Sequence, residues 1–423
     1  MEKVRLKGVA RGVLWMILWA VIGYLLLVLA YCLPVDRMQK HLESSLDAFQ
    51  DGPTTLLKDD TAMWIDYLTD SMILAEAVYD GEESAWNQAA AVYSNNTPAD
   101  GEGSWTYRKM QAALEKDQSG PGYPRYWHGN LVYLKPLLFV FDYKDILTLN
   151  MLLQLALMFW IVSLLGKQNG GDGLLLPMAV AFGMLTPPAM VLCLQYMPCF
   201  YVMAAACIVL LRWPEVTDRH PALFFLTVGM ATSYFDFLTF PLVTLGVPLV
   251  LYLLKHDFPC RKGLCATVYT SICWGTGYLG FWAMKWLIGS FVLQENLFAD
   301  ALNSFLLRSS HETEGQTIGY LDALEQNLGV YYDLRIWKVL FALAAAVLLL
   351  RVLWMFHKKI SIKPRLNVIV PLLLVACMPF AWYFVTVNHS YIHYGYTHKE
   401  LMISGLALTA VVAVLFRKQE QET

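Results

Sequence analysis

Charged residues are scarce in this sequence, and that scarcity excludes an ordinary soluble domain. They make up 15% of the 423 residues, whereas hydrophobic residues make up 57%; soluble domains carry about a quarter charged residues. With a net charge of −3 and no long basic tract, the sequence gives no indication of nucleic-acid binding. None of the eight cysteines lies between Pro34 and Asn130, which excludes a disulfide framework in that polar region.

Long apolar segments take the place of the missing charge. About 20 residues in a helix cross roughly 30 Å of hydrocarbon. We therefore predict an all-α polytopic membrane protein in a cell membrane. Its ten predicted transmembrane helices cover residues 10–33, 145–165, 174–194, 196–212, 221–236, 237–254, 265–289, 336–356, 367–388 and 400–416. The first is expected to be a retained helix, because no small-residue cleavage site follows it.

The distribution of Lys and Arg predicts the orientation, because basic residues concentrate in cytoplasmic loops. Both termini are expected to be cytoplasmic, and the even number of spans agrees. The domains are then a first helix (1–33), an outer-face loop domain (34–144), a transmembrane bundle (145–289), an outer-face loop (290–335) and C-terminal helices with a tail (336–423). The basic residues that decide this are Lys3, Arg5, Lys7, Arg11, Lys167, Arg212, Arg219, Lys255, Arg261, Lys262, Arg351, Lys358, Lys359, Lys363, Arg365, Arg417 and Lys418.

Two short segments of the outer-face loop domain have helical patterns. In Asp36–Gln50, the apolar residues Met38, Leu42, Leu46 and Phe49 recur at helical spacing, which predicts an amphipathic helix. The apolar segment 131–141 is too short to cross a bilayer, so it is expected to lie in the membrane interface or to re-enter.

Three carboxylates of this domain are candidate general bases. Asp36 follows the first span and is held at the expected bilayer surface, although helix capping explains it equally well. Asp66 and Asp70 are four residues apart and would share one face of a helix, where two like charges destabilise unless a cation or a shared proton answers them. No Asp-x-Asp element occurs here, so we predict no metal ligands and no cofactor, and a divalent metal requirement stays open.

Several residues have the chemistry to bind a phosphate or a sugar. In the segment 123–130, Arg125 can form forked contacts to phosphate, and Trp127 can stack on a sugar or anchor in the interface. His128 belongs to the same segment. Lys135 lies within an apolar stretch and is expected to snorkel to water or to bind an anionic headgroup.

Further candidates lie in the later outer loops. His389 and His393 are four residues apart, and they are expected either to hydrogen-bond polar groups or to hold a phosphate together with Lys399. Asp236 lies in a tight turn between two spans, where turn formation alone would explain it. Arg308 follows an amphipathic stretch and is either a phosphate ligand or a surface residue.

This arrangement resembles the GT-C class of membrane glycosyltransferases, which have many spans and a large outer loop after the first helix. The resemblance implies that 36–50 and 131–141 match the interfacial helices of that class and Asp36 its early carboxylate. The chain also resembles bacterial multi-span membrane proteins without an established activity. The shared motifs are Leu33-Pro34-x-Asp36-Arg37-Met38, Asp66-x-x-Thr69-Asp70, Arg125-Tyr126-Trp127-His128-Gly129 and Asn388-His389-Ser390-Tyr391-Ile392-His393.

The resemblance to glycosyltransferases implies a polyprenyl-phosphate-linked sugar donor, membrane lipids around the spans and a cell-surface glycan or other envelope polymer as acceptor. Asp36, Asp66 or Asp70 would then act as base with inversion at the anomeric carbon. One alternative is a lipid-linked glycan transporter or flippase. Thr186-Pro187-Pro188 and Met197-Pro198 interrupt spans, as in transporters, but the predicted spans contain no buried acid and no two-fold pattern. A second alternative is a non-catalytic subunit of an envelope assembly complex.

Overall fold

A computed structural model describes most of the chain, and it is almost entirely helical. The all-α class is therefore confirmed. The described residues are 2–58, 60–115, 120–168, 172–313, 315–332, 335–357 and 366–415. Some of the basic residues that predict the orientation lie outside them, namely Lys358, Lys359, Lys363, Arg365, Arg417 and Lys418.

The first helix is followed by a folded insertion, residues 34–142, built of short elements. Two strands pair antiparallel, with Thr54 opposite Ile65. The expected helix 36–50 is broken at Ser45 into an α-helix and a 3-10 turn, yet Met38, Leu42 and Phe49 are buried as their spacing predicts. The elements are α1 Glu2–Tyr31, α2 Asp36–Glu43, the 3-10 turn Leu46–Phe49, β1 Thr54–Thr55, the 3-10 turn Thr61–Met63, β2 Trp64–Ile65, α3 Tyr67–Ala77, α4 Ala85–Ala91, α5 Trp105–Leu114 and α6 Leu131–Val140.

The middle of the chain forms a bundle of apolar helices. The predicted division of 221–254 into two helices is confirmed, whereas the predicted span 174–194 is broken after Met184. Thr186 adopts a left-handed backbone at that break, just before two prolines. The helices are α7 Tyr143–Gly166, α8 Asp172–Met184, α9 Pro187–Met190, α10 Met197–Arg212, α11 Pro214–Arg219, α12 Pro221–Phe235, α13 Val243–His256 and α14 Cys260–Leu293.

The last third adds a second outer segment and the C-terminal helices. Strands β3 and β4 form a two-stranded hairpin between α15 and α16. The elements are α15 Leu297–Arg308, β3 Glu312–Thr313, β4 Gln316–Thr317, α16 Tyr320–Tyr332, α17 Arg335–His357, α18 Leu366–Ala376, α19 Met378–Val385, α20 Val387–Ile392, α21 Tyr394–Thr397, the 3-10 turn His398–Leu401 and α22 Met402–Leu415.

Among the described residues, 4 helical segments are long and apolar enough to cross a membrane. Shorter apolar helices, including α10, α12 and α13, lie beside them. These segments are consistent with a membrane protein, while the number of ten spans stays a prediction. The four segments are Gly8–Tyr31, Tyr143–Gly166, Leu366–Val385 and Tyr394–Leu415.

Helices α12 and α14 cross at two glycines that let their backbones touch. A methyl group built on Gly229 would lie 2.1 Å from the carbonyl oxygen of Trp274, and one on Gly277 would lie 2.1 Å from that of Leu226. Such close approach is typical of small residues at helix interfaces in membranes. Because the contacts are with backbone atoms, no side-chain rotation can make room for a larger residue.

We therefore expect Gly277→Val to destabilise the bundle by at least about 1–3 kcal/mol, the usual range for overpacking. The measurement is thermal unfolding of the detergent-solubilised protein. Gly275→Val is the matched control, since a methyl group at Gly275 meets nothing within 4 Å. Equal melting temperatures for the two variants would contradict this account of the crossing.

Candidate functional site

Arg308 and His389 form the centre of a polar cluster at the end of the bundle that carries the insertion. Arg308 ends α15, and its Nη1 lies 2.5 Å from Nδ1 of His389 on α20. Arginine only donates hydrogen bonds, so Nδ1 accepts, and Nε2 carries the proton that binds the carbonyl oxygen of Leu238 at 2.7 Å. Burial, followed by the charge of Arg308, lowers the pKa of His389 well below its usual value, which agrees with a neutral ring.

Aromatic rings surround this pair. The ring of His393 lies 4.7 Å from that of His389 and stacks on Tyr396 at 5.2 Å, measured between centroids. Burial, followed by Arg308, lowers the pKa of His393 to about 4, so His393 is also neutral at pH 7. Arg308 lies within electrostatic range of Tyr126 and Tyr123 as well. We call Arg308, His389, His393, Tyr396 and Tyr126 the polar cluster.

The guanidinium of Arg308 has unused donor capacity. An arginine has five N–H donors, and His389 accepts one of them. Within the described part of the chain, no carboxylate lies within ion-pair distance of Arg308. A half-buried guanidinium with free N–H donors can accept an anion, so Arg308 is a candidate anion ligand.

Two of the predicted carboxylates lie near the cluster. Asp66 is buried and caps α3, accepting from the backbone N–H of Thr69 at 3.2 Å and from its hydroxyl at 2.8 Å. Burial raises its pKa, and it lies within electrostatic range of Tyr396. Asp236 is buried in the turn after α12, where it accepts from the N–H and the hydroxyl of Thr239, and its charge reaches Tyr126.

Asp70 is held by three donors and has no exposed surface. It accepts from the hydroxyl of Tyr143 at 2.7 Å and from the backbone N–H groups of Leu194 and Gln195 at 2.9 and 3.1 Å. The expected repulsion between Asp66 and Asp70 is therefore offset because each carboxylate accepts hydrogen bonds from its own set of donors. These bonds tie the insertion to the segment before α10, which is a structural role.

The predicted phosphate ligands Lys135 and Lys399 are instead bonded to backbone carbonyl groups. The Nζ of Lys135 donates to the carbonyl of Ala77, the last residue of α3, at 2.6 Å. The Nζ of Lys399 donates to the carbonyl of Leu185 at 3.2 Å and to the hydroxyl of Thr186 at 2.7 Å. Both side chains are fully buried, so neither snorkels to water.

The segment 123–130 also has structural contacts where the sequence predicts ligand contacts. Arg125 forms a two-point ion pair with Asp300 on α15, at 3.1 and 3.2 Å. Trp127 is fully buried, stacks on Phe281 and donates to its carbonyl at 2.7 Å, so it cannot stack on a sugar. His128 places one ring nitrogen 2.9 Å from Glu76 and the other 3.0 Å from the carbonyl of Tyr123.

Asp36 is exposed at the start of α2. This helix packs on α6 and α5, not on the elements that carry Arg308 and His389. The structure thus brings together Arg308, His389 and His393, with Asp66 and Asp236 nearby, and leaves Asp36 outside that group.

Glu400 is a buried acid at the first residue of the predicted span 400–416, so the expectation that the predicted spans contain no buried acid was wrong. Its Oε1 accepts from the backbone N–H of Leu242 at 3.1 Å, and it lies within electrostatic range of Asp236. An acid at the first residue of a predicted span is the signal that could have identified it. The sequence reasoning also missed Tyr126 and Tyr396, because tyrosine is common at membrane interfaces without taking part in a binding site.

A cleft of about 1030 Å³ is lined mainly by α16, and none of the five residues of the polar cluster is among its lining residues. Its lining includes Glu325 and Gln326 of α16 on one side and Tyr391 and Tyr394, which flank His393 in sequence, on the other. Among the described residues no group of His, Cys, Asp or Glu is arranged to hold a metal ion.

Comparisons of the chain with protein-family models, curated proteins and solved structures found no match. The case for a function therefore depends on the geometry of the site.

Burial raises the pKa of Asp70 to about 7, against about 3.9 in an unfolded chain. Between these values the folded protein binds the extra proton, so its unfolding free energy falls as pH rises, by roughly 1.4 kcal/mol per unit. We expect Asp70→Asn to remove this contribution and so to make the slope less steep, measured by denaturant unfolding from pH 4 to 7; Asp66, whose pKa is also raised, keeps its own contribution. The exposed Asp47→Asn should leave it unchanged, and an unaltered slope in Asp70→Asn would refute the assignment.

Replacing Lys135 by Met keeps the bulk of the side chain but leaves the carbonyl of Ala77 without this donor. We expect a loss of about 1–3 kcal/mol in unfolding free energy, the usual cost of an unsatisfied buried polar group. Lys144→Met, at an exposed site on α7, is the control and should stay within about 0.5 kcal/mol of wild type. Similar stabilities for both variants would show that Lys135 does not cap α3.

Proposed function

We propose that the chain is an integral membrane glycosyltransferase that moves a sugar from a polyprenyl-phosphate donor to an envelope glycan or polymer. The observation that carries the proposal is Arg308, which is hydrogen-bonded to the neutral His389, lies near the neutral His393 and has no carboxylate partner among the described residues. A phosphate leaves as an anion, so it needs a nearby positive charge more than it needs a proton donor. A preorganised guanidinium group supplies that positive charge.

Asp66 is the best candidate for the base. As the acceptor oxygen attacks the anomeric carbon, Asp66 takes the hydroxyl proton, and the bond from that carbon to the phosphate oxygen breaks. The electron pair leaves on the phosphate, whose charge Arg308 stabilises, and the anomeric carbon inverts. The raised pKa of Asp66 strengthens it as a base, because a proton acceptor works best with a pKa near the operating pH.

The cleft lined by α16, Tyr391 and Tyr394 is the proposed site of the glycan acceptor. Tyr391 and Tyr394 offer aromatic faces, and Gln326 and Glu325 offer hydrogen-bonding groups to sugar hydroxyls. The proposal includes the finer topology: ten spans in a cell membrane, cytoplasmic termini and the insertion on the outer face. This topology puts the site where lipid-linked donors are used and nucleotide sugars are absent.

One observation favours a lipid-linked glycan transporter as a second candidate. Lys399 and Glu400 are fully buried in the candidate span 394–415, and ionisable residues within spans often mark transport pathways. Movement of a lipid-linked glycan across vesicles containing the protein, without formation of a glycosidic product, would support this candidate.

The transferase is tested in membranes supplied with a polyprenyl-phosphate-linked sugar and an acceptor glycan. We expect Asp66→Asn to lower product formation by about 10²–10⁴ and Arg308→Gln by about 10²–10³. Asp47→Asn and Arg261→Gln, at exposed sites away from the cluster, are the matched controls and should retain activity.

Asp36→Asn and Asp70→Asn complete the series. Because Asp36 is exposed and Asp70 is bonded to three donors, both should retain most activity wherever the folded protein accumulates normally. Loss of product with Asp36→Asn alone would move the base to Asp36. Full activity of both Asp66→Asn and Arg308→Gln would disprove the mechanism.

A further inference from the structure

A second cavity lies on the side of the bundle, away from the polar cluster. It is a groove of about 780 Å³ formed by α1, α6, α7, α10, α11 and α12. Nearly all of its lining side chains are apolar, and Leu149, Leu153 and Ala205 are exposed along it. In a bilayer, this groove faces the hydrocarbon, so its natural contents are lipid chains.

The groove extends over much of the membrane thickness. On the α12 side its lining runs from His220 to Phe235, which is about 22 Å at 1.5 Å per residue. On α10 it runs from Met197 to Val209, or about 18 Å. Acyl chains lying along the helix axes fit this length.

The two ends of the groove differ in charge. At the α11 end, His220 contributes to the lining, and the exposed Arg212 and Arg219 lie close by in sequence. At the other end the lining residues include Tyr133, Leu137 and Phe235 but no cation, and the nearby Lys144 is outnumbered by Asp142 and Asp145.

The acids of this segment do not cancel the positive charge. Asp218 is paired with Lys255 at 2.6 Å and with His256 at 3.1 Å. Of the two acids in α11, only Glu215 then remains to offset the charges of Arg212 and Arg219. Trp213 is 44% exposed beside Arg212, as expected for an aromatic residue at the headgroup level.

We propose that the groove holds the acyl chains of an anionic glycerophospholipid, with its phosphate against Arg212, Arg219 and His220. The apolar lining, its length and the excess of positive charge near its α11 end together select this occupant. The proposal is independent of the glycosyltransferase proposal, because the groove shares no residue with the polar cluster.

The test is native mass spectrometry of the full chain, purified in detergent and incubated with phosphatidylglycerol, phosphatidylcholine or a polyprenyl phosphate. We expect the wild type to retain phosphatidylglycerol preferentially. Ala205→Trp fills the groove and should lower retention at least tenfold, whereas Val268→Trp, on a lipid-exposed face of α14, should not.

The charge requirement has its own pair of variants. Arg212→Gln with Arg219→Gln should reduce the preference for phosphatidylglycerol over phosphatidylcholine by about fivefold per arginine. Arg261→Gln with Lys262→Gln, exposed at the start of α14, is the control and should leave it unchanged. Equal retention of the two phospholipids by the wild type, or unaltered binding by Ala205→Trp, would overturn the proposal. Displacement of phosphatidylglycerol by the polyprenyl phosphate would also overturn the proposal, because it would show that the groove binds the polyprenyl chain of the sugar donor.

Discussion

Carbonyl groups at helix ends cannot be left unbonded in an apolar interior, and this structure meets that constraint with buried lysines. Lys135 binds the end of α3, Lys285 binds the carbonyls of Ala89 and Ala90 near the end of α4, and Lys399 binds the break after α8. Each ammonium group also gains from the negative end of a helix dipole. Since Lys285 belongs to α14 and α4 to the insertion, this bond joins the insertion directly to the bundle.

Contacts between distant parts of the chain also bring the residues of the polar cluster together. Thr186, held by Lys399, donates its hydroxyl to the carbonyl of Ala62 at 2.7 Å, just before Asp66. The ion pair of Arg125 with Asp300 holds α15, whose last residue is Arg308. The insertion, α15 and α20 are therefore joined by contacts between residues far apart in the sequence, including the hydrogen bond from Arg308 to His389.

Local patterns predicted the helical class, the division of 221–254 and the short helix after Asn130, because hydrophobic length and periodicity depend on neighbouring residues. The pairings of polar groups were beyond prediction, because they join residues far apart in sequence. Asp66 and Asp70 show the difference: their spacing suggested a shared face, but Asp70 is bonded to Tyr143 and to the segment before α10. Likewise, the sequence around Lys135 does not show whether its ammonium group caps a helix or binds a phosphate.

The contrast among the buried cations is the basis of the proposed anion binding at Arg308. Lys285 donates to two carbonyl groups, Lys399 to a carbonyl and a hydroxyl, and Lys135 to one carbonyl. Arg308 has only a neutral histidine among its described hydrogen-bond partners. A half-buried charge without a counter-charge raises the free energy of the empty site, so an anion that enters it is bound more favourably. Two histidines kept neutral beside Arg308 add no competing charge, and a nearby carboxylate with a raised pKa can accept a proton without pairing with the guanidinium. This separation of cation from base is what transfer from a phosphate leaving group requires.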